Sequence, residues 1–486
     1  MPPFRPLIPL CAFAAALAAC GEKTGTPVVV SVIGDKPVLA NADRGPLPPA
    51  AAVLAGAVAE GLVAMDATGQ IEPALAERWI VTDDGLSYIF RLRPATGANG
   101  KPITANDVVR RLRAAIARSS RNPLRADLAL IDSVSATTPQ IIEIRLRAPR
   151  PPLLNLLAQP EMAVTIAGGA GPLRQKAEDG VIHLTPLPEV DEDGEPLPPA
   201  PDRTLRLRGE RAALAVTRFV RGEVDLVLGG GYGDLPIARL GVLRGRDVRV
   251  DPAEGLFGLM IAGDTPFFAD PDIRRALAMA IDRQALMVAV GGNDARPDVA
   301  ILPERYRSAA DPAVPRWAGL TQADRQASAH AIVAGWRGRE GPPPPIRIAL
   351  PATPGATLLF GRLAADWLAL GLTAVRVAEG DAADIRVVDA LAPAPSAIWY
   401  LRTALCPAPA RCDPAAGDAL AQANIADTAA ARGQALAEAD QALVTAAHFI
   451  VLGRPVRWAL ATRRLTEFRE NPRAWHPLNH LIAAGR

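Results

Sequence analysis

Short β-branched runs alternate with helix-length stretches of 3.6-residue apolar periodicity through most of this chain, and that alternation is what most narrows its possible folds. Val28–Ile33 reads as a buried strand, followed by a helix at 50–62. The turn Asp83-Asp84-Gly85 leads into the alternating strand 87–93, and Asp-Gly between apolar runs is a hairpin signal. Thr104 is a helix N-cap with Asp107 as its acidic third-position partner, and Val108, Leu112, Ala115 and Ile116 give that helix one apolar face. A further strand is expected at 140–146. Asp270 caps another helix with Pro271 in its first turn, and Ile273, Ala276, Leu277, Ala280 and Ile281 hold its buried stripe. A βαβ unit spans 346–350, a helix at 357–370 ended by Gly371, and 373–377; 385–388 adds a strand. The stretch 418–447 is mostly helical and 450–461 returns as extended chain. The class is α/β. At 486 residues the chain exceeds the ~250–300 residues one core can serve, so two or more domains are expected.

Composition removes several function classes. With 49% hydrophobic residues, wholesale disorder is excluded. A net charge of +2 leaves no broad footprint for phosphate backbones, so no nucleic-acid partner is expected. The long apolar run at 7–17 is shorter than the ~20 residues a spanning helix needs. Preceded by Arg5 and followed by Leu17-Ala18-Ala19-Cys20-Gly21, it has the layout of a secretory signal. The cysteine after the small residues makes the segment resemble a bacterial lipoprotein signal. That resemblance implies a signal peptide at 1–19, lipidation of the Cys20 thiol and a tether at 20–27. The folded part would then stand in water on the periplasmic side of the inner or outer membrane, or at the cell surface of a Gram-positive cell. Cys11 leaves with the signal, so Cys406 and Cys412 remain as a candidate disulfide closing a small proline-containing loop.

A search for catalytic chemistry returns little. There is no Gly-x-Ser-x-Gly elbow, no His-Glu-x-x-His and no Ser-x-x-Lys. His476 and His480 have the spacing of a zinc pair on a helix, but Pro477 between them argues against that helix. Glu189, Asp191, Asp193 and Gly194 begin like a calcium loop, yet the twelfth position is Ala200 rather than a bidentate Glu; 189–201 reads as a solvated loop. Gly229-Gly230-Gly231-Tyr232-Gly233 follows a short strand but is succeeded by Asp234-Leu235-Pro236, which suits a crossing loop better than a phosphate cradle. No metal, no cofactor and no catalysis are expected.

The stretch Glu60-Gly61-Leu62 … Ile71-Glu72-Pro73-Ala74-Leu75-Ala76-Glu77-Arg78-Trp79, then Asp83-Asp84-Gly85-Leu86-Ser87-Tyr88-Ile89-Phe90-Arg91-Leu92-Arg93 and Gly100-Lys101-Pro102-Ile103-Thr104-Ala105-Asn106-Asp107-Val108, resembles the oligopeptide/dipeptide/nickel class of ABC-transporter solute-binding proteins. Asp270, Arg274, Ala276, Ile281-Asp282-Arg283 and Asn471-Pro472 continue the likeness in order. It implies a two-lobed, type II-like periplasmic-binding-protein fold with an extra subdomain in the first lobe. The expected bounds are 28–45, 160–257 and 450–486 for the first-lobe core, 46–159 for the subdomain and 262–449 for the second lobe. The expected crossing strands are 254–261 and 450–461. The expected partners are a small peptide or peptide-like solute and an ABC permease, with the chain a monomer. In peptide-binding relatives a Trp-x-x-Asp-Tyr segment sets a carboxylate against the ligand amine; the counterpart expected here is Trp399-Tyr400-Leu401-Arg402. Arg402 in place of an acid would suit an anionic solute, with Trp399 and Tyr400 packing on its apolar part. Asp389 and Tyr232 are further wall candidates. A second reading is a degenerate member acting as an envelope scaffold or sensor.

Overall fold

The computed structural model describes residues 25–149, 152–191, 195–242, 247–306, 310–406 and 414–481. Three sheets organise the chain. A seven-stranded sheet orders Val248–Val250, Arg457–Ala461, Leu226–Gly231, Val28–Ile33, Leu205–Glu210, Val181–Pro186 and Leu173–Glu178. Its centre is parallel: Val30 pairs with Leu207 on one side and Leu226 on the other, with the helix Ala212–Val220 returning the chain between those two flanking strands. A strand covered on both faces needs a near-continuous apolar run, which is what Val28–Ile33 carries. A five-stranded sheet orders Ala374–Val377, Ile346–Ala349, Ile385–Leu391, Gly255–Ile261 and Phe449–Gly453. A four-stranded antiparallel sheet, Ala76–Val81, Ser87–Leu92, Ile141–Leu146 and Ile131–Thr138, forms the subdomain of the first lobe. The expected two lobes and extra subdomain are thus present.

Local signals translate directly. The Asp-Gly turn joins an antiparallel hairpin in which Trp79 faces Phe90. Thr104 and Asp107 form the reciprocal capping box of the helix Ala105–Ile116. Asp270 accepts from the Asp272 amide at the head of Pro271–Ala280. Other expectations need correction. The helix Pro49–Val58 buries Ala50, Leu54, Ala57 and Val58 against Val30, Leu184 and Leu207, so it belongs to the seven-stranded sheet and not to the subdomain. The subdomain core begins at Leu62 and continues through Met162 and Val164 to Ala170, beyond the expected bound at 159. Gly255–Ile261 lies wholly in the second-lobe sheet, and the chain crosses just before it, at 251–254. The 450–461 run is divided: Phe449–Gly453 pairs in the second lobe and Arg457–Ala461 in the first, so 454–456 is the return crossing. The glycine run is not a loop up to Gly231. It continues the strand beside Arg457–Ala461, because a Cβ on Gly230 would come within 2.2 Å of the Trp458 ring. Within 189–201, expected as a loop, Glu189–Val190 and Pro196–Leu197 pair as two very short antiparallel strands, with 192–194 outside the described residues.

The lobes do not have wholly separate cores. A buried apolar cluster runs from Leu235 and Ala238, on the first-lobe helix Leu235–Gly241, into Phe257, Leu359 and Leu363 of the second lobe. Among the described residues no helix is long and apolar enough to cross a membrane.

One buried acid in the second lobe makes stability depend on pH. Asp440, on the helix Ala429–Ala446, is 2% exposed; one oxygen accepts the Ala313 amide at 2.8 Å and the other has no partner among the described residues. Burial pushes its pKa up from 3.8 to about 6. The folded state therefore holds the proton more tightly. That stabilisation is complete below the unfolded value near 3.8 and is lost as pH rises through about 6. A gap of that size corresponds to about 3 kcal/mol. We predict that Asp440→Asn raises unfolding free energy by about 1–3 kcal/mol at pH 7.5 and leaves it nearly unchanged at pH 4. Urea titrations of the chain starting at Gly21 check this, and equal effects at both pH values would refute it.

Candidate functional site

The two crossings determine how the lobes meet, and both are clamped by charged groups. At the first, the Asp251 carboxylate accepts the Asn471 amide at 2.9 Å and lies 3.2 Å from His476 Nε2. Glu254 ends the same crossing: its amide donates to Pro472 O and its carbonyl accepts the Ala392 amide, each at 2.9 Å. Its carboxylate meets Arg305, the Tyr306 hydroxyl at 3.2 Å and Arg473 at 3.3 Å. At the return crossing Arg454 pairs with Asp298. Arg457, on the first-lobe side, holds both carboxylate oxygens of second-lobe Asp389 at 2.8 and 2.9 Å. Beside that pair Gly355, at the head of the helix Pro354–Leu368, donates its amide to first-lobe Gly233 O at 2.8 Å.

On the other side of the crossings a cavity of about 430 Å³ lies between subdomain and second lobe. From the first lobe come Asp127, Glu161 and the C-terminal segment with Arg473 and Trp475; from the second come 390–393 and Trp399. Three hydrogen-bonded bridges close it. Arg402 reaches Asp127 at 2.6 Å, Gln159 Nε2 donates to Pro393 O at 2.7 Å, and Arg473 donates to Ala392 O at 3.0 Å. Burial pushes the Glu161 carboxyl up, opposed only by its own backbone amide. Its backbone carbonyl is meanwhile fixed by Arg111 and Asn122. Among the described residues Glu161 has no ion pair, Arg473 on the same cavity being engaged by Glu254 and the Ala392 carbonyl, so the acid between the indole walls suits a cationic group.

The sequence candidates separate into two places. Trp399 and Arg402 stand on the helix Ala397–Thr403 and reach the cleft. Arg402 is not an open guanidinium there, since it is paired with Asp127, which is buried. Tyr400, on the same helix, is fully buried beside Tyr306 with its hydroxyl unpartnered, so it packs in the second-lobe core. Asp389 and Tyr232 come together around Arg457, away from the cavity. The Tyr232 ring packs 5.0 Å from Phe257, and burial and then Asp389 push its hydroxyl pKa upward. Cys406 is buried at the end of that helix segment, while Cys412 and Cys20 lie outside the described residues, so the expected pairing and lipid site do too. His476 and His480 point to different partners, Asp251 and Glu72.

Asp127, Glu161, Arg473 and Trp475 were not singled out from sequence. Each sits in an irregular segment flanked by proline or asparagine, where periodicity carries no information. The only available signal for the last two was their place immediately after Asn471-Pro472.

The family model described as "Bacterial extracellular solute-binding proteins, family 5 Middle" matches residues 70–192 and 210–378, more than half of the chain. The periplasmic oligopeptide-binding protein OppA of Salmonella typhimurium is 24% identical over 314 residues, 57% of this chain and 56% of the relative, so the match spans little more than half of that relative's length. Among solved structures, Haemophilus influenzae OppA in complex with the peptide RPPGFSPFR superposes with a TM-score of 0.78 at 17% identity, covering 95% of this chain and 99% of that one. The Escherichia coli murein tripeptide-binding protein MppA gives 0.77 at 18% identity, again over 95% and 99%. The unliganded open form of MppA gives 0.64 at 18% identity, over 94% of this chain and 96% of that one.

Gly355 tests the close approach of the lobes. A methyl there would lie 2.0 Å from the Tyr232 carbonyl oxygen, whereas Gly361 on the same helix faces open space. We predict that Gly355→Ala destabilises the protein by about 1–3 kcal/mol despite alanine's better helix propensity. Gly361→Ala should be neutral or stabilising by up to ~1 kcal/mol. Denaturant unfolding of both variants gives the comparison. Two equally tolerated substitutions would mean the lobes do not need to touch there.

Proposed function

The chain belongs to the bacterial extracellular solute-binding proteins of family 5, and from that premise we propose that it captures a peptide-like solute bearing an ammonium group between its lobes and delivers it to an ABC permease. It is a binding protein and not an enzyme. The observation that carries the choice of solute is Glu161, a carboxylate in the inter-lobe cavity with no cationic partner among the described residues and with burial pushing its pKa upward. An ammonium group placed beside it would relieve that desolvation, and Trp399 and Trp475 would pack on the adjoining apolar part. An anionic solute is less well served, since Arg402 would first have to release Asp127.

Mechanism follows from the crossings. A ligand favours closure only by binding the closed form more tightly than the open one. Glu161 and Asp127 on one wall and Trp399 on the other can engage one solute together only when the lobes are closed. The bridges from Arg402, Gln159 and Arg473 then add to closure while the 251–254 and 454–456 segments bend. This reading keeps lipid attachment at Cys20, a Cys406–Cys412 disulfide and a monomeric chain.

Native mass spectrometry of the chain starting at Gly21, purified from its own periplasm, should show a co-purifying compound with a free amine. That compound should bind Glu161→Gln about tenfold or more weakly by calorimetry. Wild-type affinity should also fall as pH drops and the Glu161 carboxylate takes up its proton. Recovery of an amine-free acid with affinity indifferent to Glu161→Gln would overturn the proposal. A protein that binds no member of a di- to pentapeptide panel would favour the scaffold reading instead.

A further inference from the structure

A second cavity lies wholly inside the second lobe, apart from the cleft, and its chemistry is opposite. It is a partly open pocket of about 580 Å³ between the helix Pro271–Ala280, the helix Ala429–Ala446 and the strand Phe449–Gly453. Arg283, Arg275 and Arg316 line it, and among the described residues no Asp or Glu does. Arg283 is 5% exposed. Its Nε donates to Val451 O at 2.8 Å and its Nη1 to Ala278 O at 2.9 Å, while among the described residues Nη2 makes no hydrogen bond and no carboxylate lies within ion-pair reach. The guanidinium stacks 5.1 Å from the centre of the Trp317 ring, whose neighbourhood also holds Arg325 at 5.7 Å. Burial and then Arg325 push the Arg283 pKa down to about 9, which still leaves it cationic at neutral pH. Asp298 and Asp366 oppose that shift from beyond ion-pair distance, so this buried cation with a spare donor has no acid in contact among the described residues.

We infer that this cavity is a second binding site, taking a monoanionic amphiphile whose carboxylate meets Arg283 Nη2 and whose medium-length apolar body lies along Trp317. The cavity falls within the few-hundred-Å³ range of small-ligand pockets, and one charged head with an apolar tail matches its lining. Two of the three Arg283 nitrogens support backbone carbonyls and account for a structural role; the third and the absence of lining acids are what the ligand explains. The site shares Val451 with the strand that leads into the return crossing, so a ligand here sits three residues before that crossing. The inference does not depend on what the cleft binds.

The test is calorimetry of the full chain starting at Gly21 with decanoate and, separately, with decanol. Decanoate should bind saturably with one site per chain, and decanol about tenfold or more weakly because it cannot form the charged hydrogen bond. Arg283→Ala risks misfolding through loss of its carbonyl bonds, so the variants are Val444→Trp, which fills the cavity, and Arg316→Ala at its wall. Val444→Trp should weaken decanoate about tenfold or more and Arg316→Ala severalfold, with Glu161→Gln unchanged. The inference is overturned by any of three results: no saturable decanoate binding, equal affinity for decanol, or decanoate binding lost in Glu161→Gln while intact in a folded Val444→Trp.

Discussion

The polar clamp between the first crossing and the C-terminal segment governs the rest of the architecture. Asp251 and Glu254 are held to Asn471, Pro472, Arg473 and His476 by hydrogen bonds and ion pairs that are largely shielded from water. Buried carboxylates are tolerable only with such partners, and removing one partner would leave an uncompensated charge. The clamp fixes the exit direction of Gly255–Ile261, and through the Ala392 amide it also fixes the end of Ile385–Leu391. Since 390–393 forms one wall of the cavity and Arg473 another, the same set of bonds that sets the lobe angle also shapes the site.

Many charges here are paired across elements, and among those with no ion pair Asp440 and Arg274 rest on backbone groups in the packed interior. Arg457 has Asp389, Arg402 has Asp127 and Arg111 has Asp43. Against that background Glu161 in the cleft and Arg283 in the second lobe stand out, one an acid and one a base, each lining a cavity. Burying an isolated charge is unfavourable, so a ligand of opposite sign recovers more free energy at these two points than elsewhere. The signs differ, which separates the two sites in chemistry as well as in place.

The large apolar cluster that passes from Leu235 and Ala238 into the second lobe adds a constraint on motion. Lobes joined only by two extended segments could swing freely, but here helix Leu235–Gly241 packs into the partner lobe and Gly233 touches Gly355. On the proposed hinge mechanism, opening would pivot about this apolar edge and separate the polar bridges on the far side, at Arg402, Gln159 and Arg473. Polar contacts exchange readily with water at small net free energy, whereas exposing apolar area costs about 25 cal/mol per Å².

What the amino-acid sequence determined by itself is local and periodic. The capping box at Thr104, the Asp-Gly hairpin before Ser87, the proline-started helix after Asp270 and the apolar run of Val28–Ile33 each depend on neighbours within a few residues, and all four are found where the sequence places them. The family likeness extended that reading to two lobes. Tertiary structure alone decided that Pro49–Val58 packs on the first-lobe sheet, that Tyr400 turns into the core while Trp399 one position earlier reaches the cleft, and that Arg402 finds Asp127, 275 positions away in the chain. It also gathered Glu161, Arg473 and Trp475 from loops into one cavity. The reason is physical: periodicity reports which face of an element avoids water, but a charge's partner and a loop's position are set by long-range packing, which sequence spacing does not encode.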